Sequence, residues 1–453
     1  MELNELNGYD ISENEATLSY LACIAGEHRN LNMKIKKTFK SVWLWSLAFF
    51  ILAGFTGVLY RFGMFYSLPV ELSLNNIRHA HSHLMFFNWV TPVPMLFIAA
   101  YICRSVPSAA SEFKRTIYTV LIIGFASYPF FLFYGYRSVP IGGAELPFSV
   151  ILSGLIMIAW YWFISVYLKY RPNSKAGLPR LFYDSSLMML FVSSLGAWGV
   201  AVFQFGNIDN PLLSSAMTHF FLAVFTGGWC VISAIGIIYH ILEINRSAIP
   251  ESWLIAPIVL GVPLTFPFGL PVELLTNQLL IVASFGAILV VAGLSANLFL
   301  LMKLRRIRLI WWWLVTVNLL IAHVLMLFGG GVFPFLLWIG EHGLRVLYLH
   351  VILLGFVSMT YLGAWHSLHR SMNRNGLKFF VFAILLLLIM LFFSSGLIPA
   401  TWLPGWHFQA LLWISFLPAA AGIVEFIIHW KTNPDSEVKP MATYAEKKMR
   451  STK

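Results

Sequence analysis

Charged residues are scarce in this chain, and acidic residues are especially so. Only 11% of its 453 residues are Asp, Glu, Lys or Arg, and Asp and Glu together number 19. A soluble protein of this length needs a far more polar surface, so a soluble enzyme or binding domain is excluded. Cysteine is rare as well. Cys23, Cys103 and Cys230 show no spacing typical of a disulfide framework or of a cysteine metal site.

Long apolar runs take the place of the missing charges. Hydrophobic residues make up 59% of the chain. Twelve runs approach the ~20 residues that a helix needs to cross about 30 Å of hydrocarbon. Helices are expected because backbone groups in lipid must be paired within their own segment. The sequence therefore predicts an all-α integral membrane protein with twelve transmembrane helices, at 42–60, 79–102, 116–136, 147–168, 181–205, 214–241, 252–270, 278–302, 309–328, 343–365, 377–397 and 408–430.

Basic residues are concentrated in alternate loops. They precede the first run and follow the second, fourth, eighth and tenth, so the positive-inside rule predicts cytoplasmic termini in a bacterial-type inner membrane. The chain then divides into an N-terminal cytoplasmic segment, 1–40, a twelve-helix membrane domain, 41–431, and a basic cytoplasmic tail, 432–453. Translation is expected to start at Met1 or at Met33. These loops account for the net charge of +11, so the lipid bilayer, and not nucleic acid, is the expected partner.

The histidines are distributed unevenly over the predicted spans. The stretch NIRHAHSHLMFFNW places three of them at the start of the second span. His81, His219 and His350 lie near the starts of spans two, six and ten, which all enter from the outer face. We therefore expect these three imidazoles to share the outer third of the membrane. His79 and His83 point about 200° away from His81 around a helix, so the three clustered histidines cannot serve one site.

Imidazoles inside a membrane bind a metal, hold a haem iron or relay protons. Proton relays usually recruit carboxylates, and these are nearly absent from the spans, where Glu425 is the main exception. A haem fits better, because imidazoles from two helices can hold its iron and 16% of the residues are aromatic. His323 joins the outer layer. Four other histidines lie at inner span ends, and we interpret them as interfacial residues that face headgroups or water: His240, His366, His369 and His429.

Two motifs resemble haem-copper oxidase subunit I. In that family the second helix carries a His, then Met four residues later, a Phe pair and Pro, and His81, Met85, Phe86–Phe87 and Pro92 match this order. The tenth span, YLHVILLGF, is similar to HVHSGALGW of cbb-type oxidases, with His350 at the second His. The NnrS haem proteins give a second resemblance, through HAHEMLFG and a later LH motif, which selects the same two histidines. Arg78 is similar in position to the Arg of the R-x-x-H motif of nitric oxide reductases.

The resemblance implies an oxidase subunit I-like bundle in which His81 and His350 are the axial ligands of a low-spin haem b. It also implies a degenerate catalytic centre, because Tyr348 replaces the ligand of the high-spin haem and span seven lacks the family's copper-binding histidine pair. His219 alone matches a copper ligand. One imidazole does not make a copper site, so copper is not expected. Tyr348 and His323 stay open as substitute ligands.

The resemblance also implies partners. Arg78 and Arg345 are expected to pair with the haem propionates, with lipid headgroup contact as the alternative. A cytochrome c or a quinol would be the electron donor, together with other respiratory subunits. Three functions stay open. The first is electron transfer or oxygen or nitric oxide handling by a haem protein. The second is a working cytochrome oxidase or nitric oxide reductase, an oxidoreductase. The third is a small-molecule transporter, for which the prolines of span seven indicate a broken helix.

Overall fold

The structure is a computed structural model that describes residues 39–68, 72–206, 208, 210–304, 307, 310–333, 342–369 and 372–432. Nearly all of the predicted N-terminal segment and basic tail therefore lies outside the described residues. The described part consists of helices joined by turns and by one short hairpin. We number the principal helices in chain order: α1 (Phe39–Gly63), α2 (Leu74–Ser105), α3 (Pro107–Tyr134), α4 (Phe148–Asn173), α5 (Leu178–Phe203), α6 (Pro211–Ile241), α7 (Glu251–Leu264), α8 (Asn277–Lys303), α9 (Trp311–Val332), α10 (Gly343–Leu368), α11 (Asn375–Phe393) and α12 (His407–Lys431).

Eleven of these helices in the described ranges are long and apolar enough to cross a membrane, which confirms an all-α multi-pass membrane protein. The predicted count of twelve spans is not confirmed, because α7 has only 14 residues. Pro257 and Pro263 lie inside α7, and each removes a backbone N–H from the helix. The chain then continues as a 3₁₀ turn, Phe266–Gly269, so the predicted span at 252–270 is only partly helical.

A two-stranded hairpin between α3 and α4 is not predicted from the sequence. Its strands, Val139–Ile141 (β1) and Ala144–Leu146 (β2), pair antiparallel with Val139 opposite Leu146. Gly142 and Gly143 form the two-residue turn with φ of 60° and 86°. Positive φ at both positions is what the favoured hairpin turn requires, and glycine adopts it without steric cost.

Helices α2, α6 and α10 form the centre of the bundle. Their most apolar windows are 94%, 83% and 72% buried, whereas the windows of the other eight spans are 39–56% buried. The outer helices expose apolar side chains on one face, as expected for helices in contact with lipid. Any group held between α2, α6 and α10 would therefore be shielded from lipid by a surrounding ring of helices.

The start of α1 lies beside the end of α12. Lys40 Nζ donates to the carbonyls of Trp430 and Thr432, at 3.2 and 2.5 Å. We call this end of the bundle the terminal end, and the opposite end the distal end. Since successive helices alternate in direction, α2, α6 and α10 all begin at the distal end and run parallel.

Each central helix contains a π-helical segment, in which the hydrogen bonds reach one residue further than in an α-helix. The segments are Phe86–Val90 in α2, Val224–Cys230 in α6 and His350–Val357 in α10. Such wide turns are rare and occur frequently at functional sites. They also leave backbone carbonyls without a donor in their own helix.

The Val90 carbonyl joins the three central helices. Proline has no N–H, so Pro94 cannot donate to the carbonyl four residues before it. Instead, Trp229 Nε1 on α6 and the Tyr361 hydroxyl on α10 both donate to the Val90 oxygen, at 3.3 Å. Two donors from other helices thus replace the missing intrahelical bond.

A second link lies beside the Val90 carbonyl. Trp89 Nε1 on α2 donates to Ser358 Oγ on α10 at 2.9 Å. The Ser358 hydroxyl in turn donates to the carbonyl of Leu353, five residues earlier, at 2.7 Å. The Leu353 carbonyl also accepts the backbone N–H of Ser358. We call the five completely buried residues involved the central junction: Trp89, Val90, Trp229, Ser358 and Tyr361.

Candidate functional site

His81 is anchored through one ring nitrogen. Its Nδ1 lies 2.7 Å from the Ala53 carbonyl on α1. Because a carbonyl only accepts, Nδ1 must carry the proton, and the neutral ring keeps its lone pair on Nε2. The ring also packs on Gly57, where an added Cβ would lie 3.0 Å from Cε1 and 3.1 Å from Nδ1. A side chain at position 57 would therefore displace the imidazole.

His350 is anchored in the same way. Its Nδ1 donates to the carbonyl of Val346, one turn earlier on α10, at 2.7 Å. The lone pair of the neutral ring is therefore again on Nε2. His350 is also the first residue of the π-helical segment of α10. The structure thus presents two imidazoles with the same tautomer, each fixed by a backbone carbonyl.

The two imidazoles lie at the same level of the bundle. His81 is eight residues before Trp89, and His350 is eight residues before Ser358. Because Trp89 and Ser358 are hydrogen bonded and their helices run parallel, both histidines lie about 12 Å from the central junction toward the distal end. His350 is also close enough to His81 and to Arg61 to interact with them electrostatically.

Packing is looser around the imidazoles than at the central junction. His81 and His350 are only half-buried, as are their neighbours Met85 and Leu349. From Val351 to the end of the π-helical segment every residue of α10 is buried. The central helices therefore pack closely from the junction toward the terminal end, and leave accessible surface on both rings.

His79 and His83 face away from this pair and pack against α3 and the turn that follows it. His83 stacks on Phe131, with ring centroids 3.8 Å apart, and its Nε2 lies 2.9 Å from the Tyr136 hydroxyl. His79 meets the edge of Tyr136 at 4.8 Å. These contacts agree with the expectation that the three clustered histidines do not serve one site.

His219 lies against the turn that follows α7. An added Cβ at Gly269 would come within 2.1 Å of His219 Nδ1. Arg345 donates to the carbonyls of Gly269 and Leu270, at 3.2 and 3.4 Å, and interacts electrostatically with His219. Within the described ranges, His219 belongs to no group of three metal-binding side chains. It therefore offers a single imidazole there.

The remaining predicted site residues lie near the distal end. Arg78 is exposed and donates to Asn75 Oδ1 at 2.6 Å, so its pairing with a propionate stays a prediction. His323 on α9 is buried and lies beside Tyr348, with ring centroids 5.4 Å apart. His323 and Tyr348 are thus neighbours, although their helices meet only in the folded chain.

Our interpretation of the terminal-end histidines is wrong for three of the four. His240, His366 and His429 are 3%, 2% and 1% exposed, and therefore do not face headgroups or water. His240 is bonded to the Tyr183 hydroxyl at 2.9 Å. The other two contact the buried carboxylate of Glu425. A sequence signal for this cluster exists, because Glu425 and His429 lie four residues apart and so share one helix face.

No protein-family model matches the chain, and no curated protein is significantly similar to it. Function therefore has to be inferred from the residues themselves. Two groups of them are unusual for the interior of a membrane protein. One is the anchored imidazole pair near the distal end, and the other is the carboxylate–imidazole cluster near the terminal end.

Proposed function

We propose that this chain is a haem-binding membrane protein in which His81 and His350 hold one low-spin haem b. The observation that carries the proposal is that the two rings have the same tautomer and the same kind of hydrogen-bond partner. Each donates its Nδ1 proton to a backbone carbonyl at 2.7 Å and keeps the Nε2 lone pair for a ligand bond. Metal-bound histidines almost always have this arrangement, because the second hydrogen bond fixes the tautomer and orients the ring.

The surroundings fit a flat, apolar group. Gly57 presents no side chain to the His81 ring. The partly buried residues of the distal halves of α2 and α6 include Met85, Phe220 and Phe221, which pack against the apolar core. Two neutral nitrogen ligands at one level, with accessible surface on both, match the donor set of a bis-histidine haem.

Arginines near the distal end suit the carboxylates of such a group. A guanidinium can form two parallel hydrogen bonds with one carboxylate. Arg61 interacts electrostatically with His350, and Arg345 lies beside His219. We therefore add Arg61 to the predicted propionate partners Arg78 and Arg345.

A bound haem would supply one-electron redox chemistry. With His81 and His350 as its two protein ligands, its iron would have no position free for a gas, so electron transfer with a cytochrome c or a quinol would be the role that follows directly. Oxygen or nitric oxide handling would require one of the two rings to leave the iron, or a second haem elsewhere in the protein. The chain's own contribution is to orient His81 and His350 through the Ala53 and Val346 carbonyls and to exclude lipid from the centre of the bundle.

The test is a reduced-minus-oxidised absorption spectrum of the purified protein, combined with metal analysis. We expect sharp low-spin bands and one haem iron per chain. His81→Ala and His350→Ala should each abolish these bands. His407→Ala is the matched control, because His407 is also a buried histidine, hydrogen bonded to Ser394 at 2.8 Å. Bands that persist in both ligand variants would refute the assignment.

Two other functions make different predictions in the same experiment. A working oxidase or nitric oxide reductase would contain a second haem or a stoichiometric second metal. A small-molecule transporter would be colourless. The short, proline-interrupted α7 favours the transporter to a limited degree, because broken helices are typical of transporter binding sites. If the preparation is colourless, α7 and the turn that follows it become the candidate substrate-binding site of a transporter.

A further inference from the structure

Three buried polar side chains meet near the terminal end. Glu425 on α12 is completely buried, and Nε2 of His366 and Nε2 of His429 each lie 3.0 Å from its Oε2. Glu425 is six residues before the end of α12 at Lys431, so the carboxylate lies within about 9 Å of that end. We call Glu425, His366 and His429 the terminal cluster. It is separate from the proposed haem ligands, which lie near the distal end.

No Lys or Arg side chain in the described part of the chain interacts with the negative charge of Glu425. Among the described residues, the titratable side chains that interact with it are its two histidines, and His369 on α10 interacts with His429. Helices α1 and α11 contribute Trp43 and Gly376, which do not titrate. If both imidazoles were neutral, a full negative charge would be buried in an apolar bundle. An unpaired charge in such a place is among the most costly features of a membrane protein.

The terminal cluster has the composition of a metal site, but the tautomer of His429 opposes one. Trp43 Nε1 can only donate, and it lies 2.6 Å from His429 Nδ1. His429 must therefore keep its lone pair on Nδ1 and its proton on Nε2, the atom that faces Glu425. A metal bound at Nε2 requires the opposite tautomer, which would set two donors against each other at Trp43.

The same hydrogen bond limits where a proton can be added. His429 cannot accept a second proton without losing its bond to Trp43. Three atoms of the terminal cluster have no hydrogen-bond partner among the described protein atoms: His366 Nδ1, Glu425 Oε1 and His429 Nε2. Nε2 of His429 already carries a proton, so only the first two can accept one. A proton on the ring nitrogen makes the existing hydrogen bond from His366 Nε2 to Glu425 Oε2 charge-assisted and therefore stronger, which favours the ring over the carboxylate oxygen.

We propose that the terminal cluster is a buried proton-binding site, in which one proton on His366 Nδ1 forms a neutral imidazolium–carboxylate pair with Glu425. The proton comes from the aqueous phase at the terminal end, and no electron transfer is involved. Nε2 of His366 donates to Glu425 Oε2, so the pair joins α10 to α12. Trp43 extends the connection to α1.

Infrared spectroscopy distinguishes the protonated ring from a protonated carboxyl. Glu425 should contribute no carboxylic acid C=O band to the wild-type spectrum, because it is a carboxylate. The spectrum of Glu425→Gln should therefore keep every carboxylic acid band of the wild type. His366→Gln keeps an N–H donor but cannot take the proton. In that variant the proton should move to Glu425, and a carboxylic acid band should appear that the double variant H366Q/E425Q lacks. Glu112→Gln, at an acidic residue paired with Lys169 at 2.8 Å, is the control.

Three results would overturn the proposal. The first is a carboxylic acid band in the wild type that Glu425→Gln removes, since the proton would then lie on the carboxyl. The second is the absence of such a band in His366→Gln. The third is a stoichiometric metal ion, besides haem iron, that Glu425→Gln releases. Metal analysis of the wild-type protein needs no variant, so it remains informative even if the variants fold poorly.

A double-mutant cycle provides an independent readout. In each single variant the remaining partner loses its ion pair and has to become neutral, which costs free energy, whereas H366Q/E425Q leaves no charge to neutralise. The thermal midpoint should therefore fall in both single variants, and H366Q/E425Q should lose clearly less than the sum of the two falls. Additive losses would mean that His366 and Glu425 do not form an ion pair.

Discussion

Ser358 gives the sharpest test of the central junction. Its hydroxyl accepts a proton from Trp89 Nε1 and donates to the Leu353 carbonyl, and the residue is completely buried. Ser358→Ala removes one oxygen and leaves almost no cavity. The indole N–H would lose its partner in a place that water does not reach, whereas the Leu353 carbonyl would keep the backbone N–H of residue 358. We therefore expect a loss of stability that arises from hydrogen bonding and not from packing.

The size of this loss follows from the one group left without a partner, the indole N–H of Trp89. An unsatisfied buried donor costs about 1–3 kcal/mol. Interhelical hydrogen bonds in membrane proteins average only ~0.6 kcal/mol, because the unfolded chain in a membrane also finds partners. The lower part of the range applies, and we expect the free energy of unfolding to fall by about 1–2 kcal/mol.

The chain contains a matched control for this substitution. Ser46 on α1 is also completely buried, but its hydroxyl has no hydrogen-bond partner among the described atoms. Ser46→Ala should therefore be neutral or slightly stabilising. Both variants would be unfolded by titrating a denaturing detergent into mild detergent micelles, and their free energies of unfolding compared. A difference between the two below about 0.5 kcal/mol, the usual effect of a neutral substitution, would refute the role of Ser358.

Three further predictions concern other parts of the fold. Gly57→Val should push the ring of His81 off its carbonyl anchor and weaken the low-spin bands, whereas Gly405→Val, where an added Cβ meets nothing within 4 Å, should leave the spectrum unchanged. Asn297→Leu should lower the free energy of unfolding by about 2–4 kcal/mol in the same detergent titration. The reason is that the buried amide of Asn297 makes three hydrogen bonds, to α6, to α7 and within α8. The control is Asn318→Leu, at an exposed amide bonded only within α9, which should change the free energy of unfolding by less than about 0.5 kcal/mol. Reporter fusions should place the C-terminus in the cytoplasm, and a periplasmic signal would contradict the charge-based orientation.

That His81 and His350 lie at one level of the bundle was predictable from the sequence, whereas the membrane depth of that level and the place of His219 in it stay predictions. The positions of His81, His219 and His350 within their helices follow from hydropathy. Helices two, six and ten run in the same direction, so residues at the same distance from their starts are expected at one level. The hydrogen bonds of the central junction agree with this, because they join positions eight residues beyond His81 and His350. Their ligand role was not predictable from spacing and stays a proposal. The tautomers could not be predicted from the sequence either, because the carbonyl that anchors His81 lies 28 residues earlier, on another helix.

The terminal cluster shows why the rest of the site could not be read from the chain. His366 and Glu425 are 59 residues apart, and histidines at span ends beside basic loops usually face headgroups. Their burial depends on how α1, α10, α11 and α12 pack against each other. The shortness of α7 is an intermediate case, because its prolines are visible in the sequence but do not determine where the helix ends.

Hydropathy and charge, which are local properties of the chain, were enough to determine a multi-pass helical membrane protein and the approximate position of almost every helix. Only the tertiary structure decided which three helices are central, where π-helical segments open carbonyls to other helices, and which histidines meet a carboxylate. The physical reason is that partition into lipid is set residue by residue along a segment. Hydrogen bonds between buried polar groups, in contrast, require two distant segments to be brought within about 3 Å of each other.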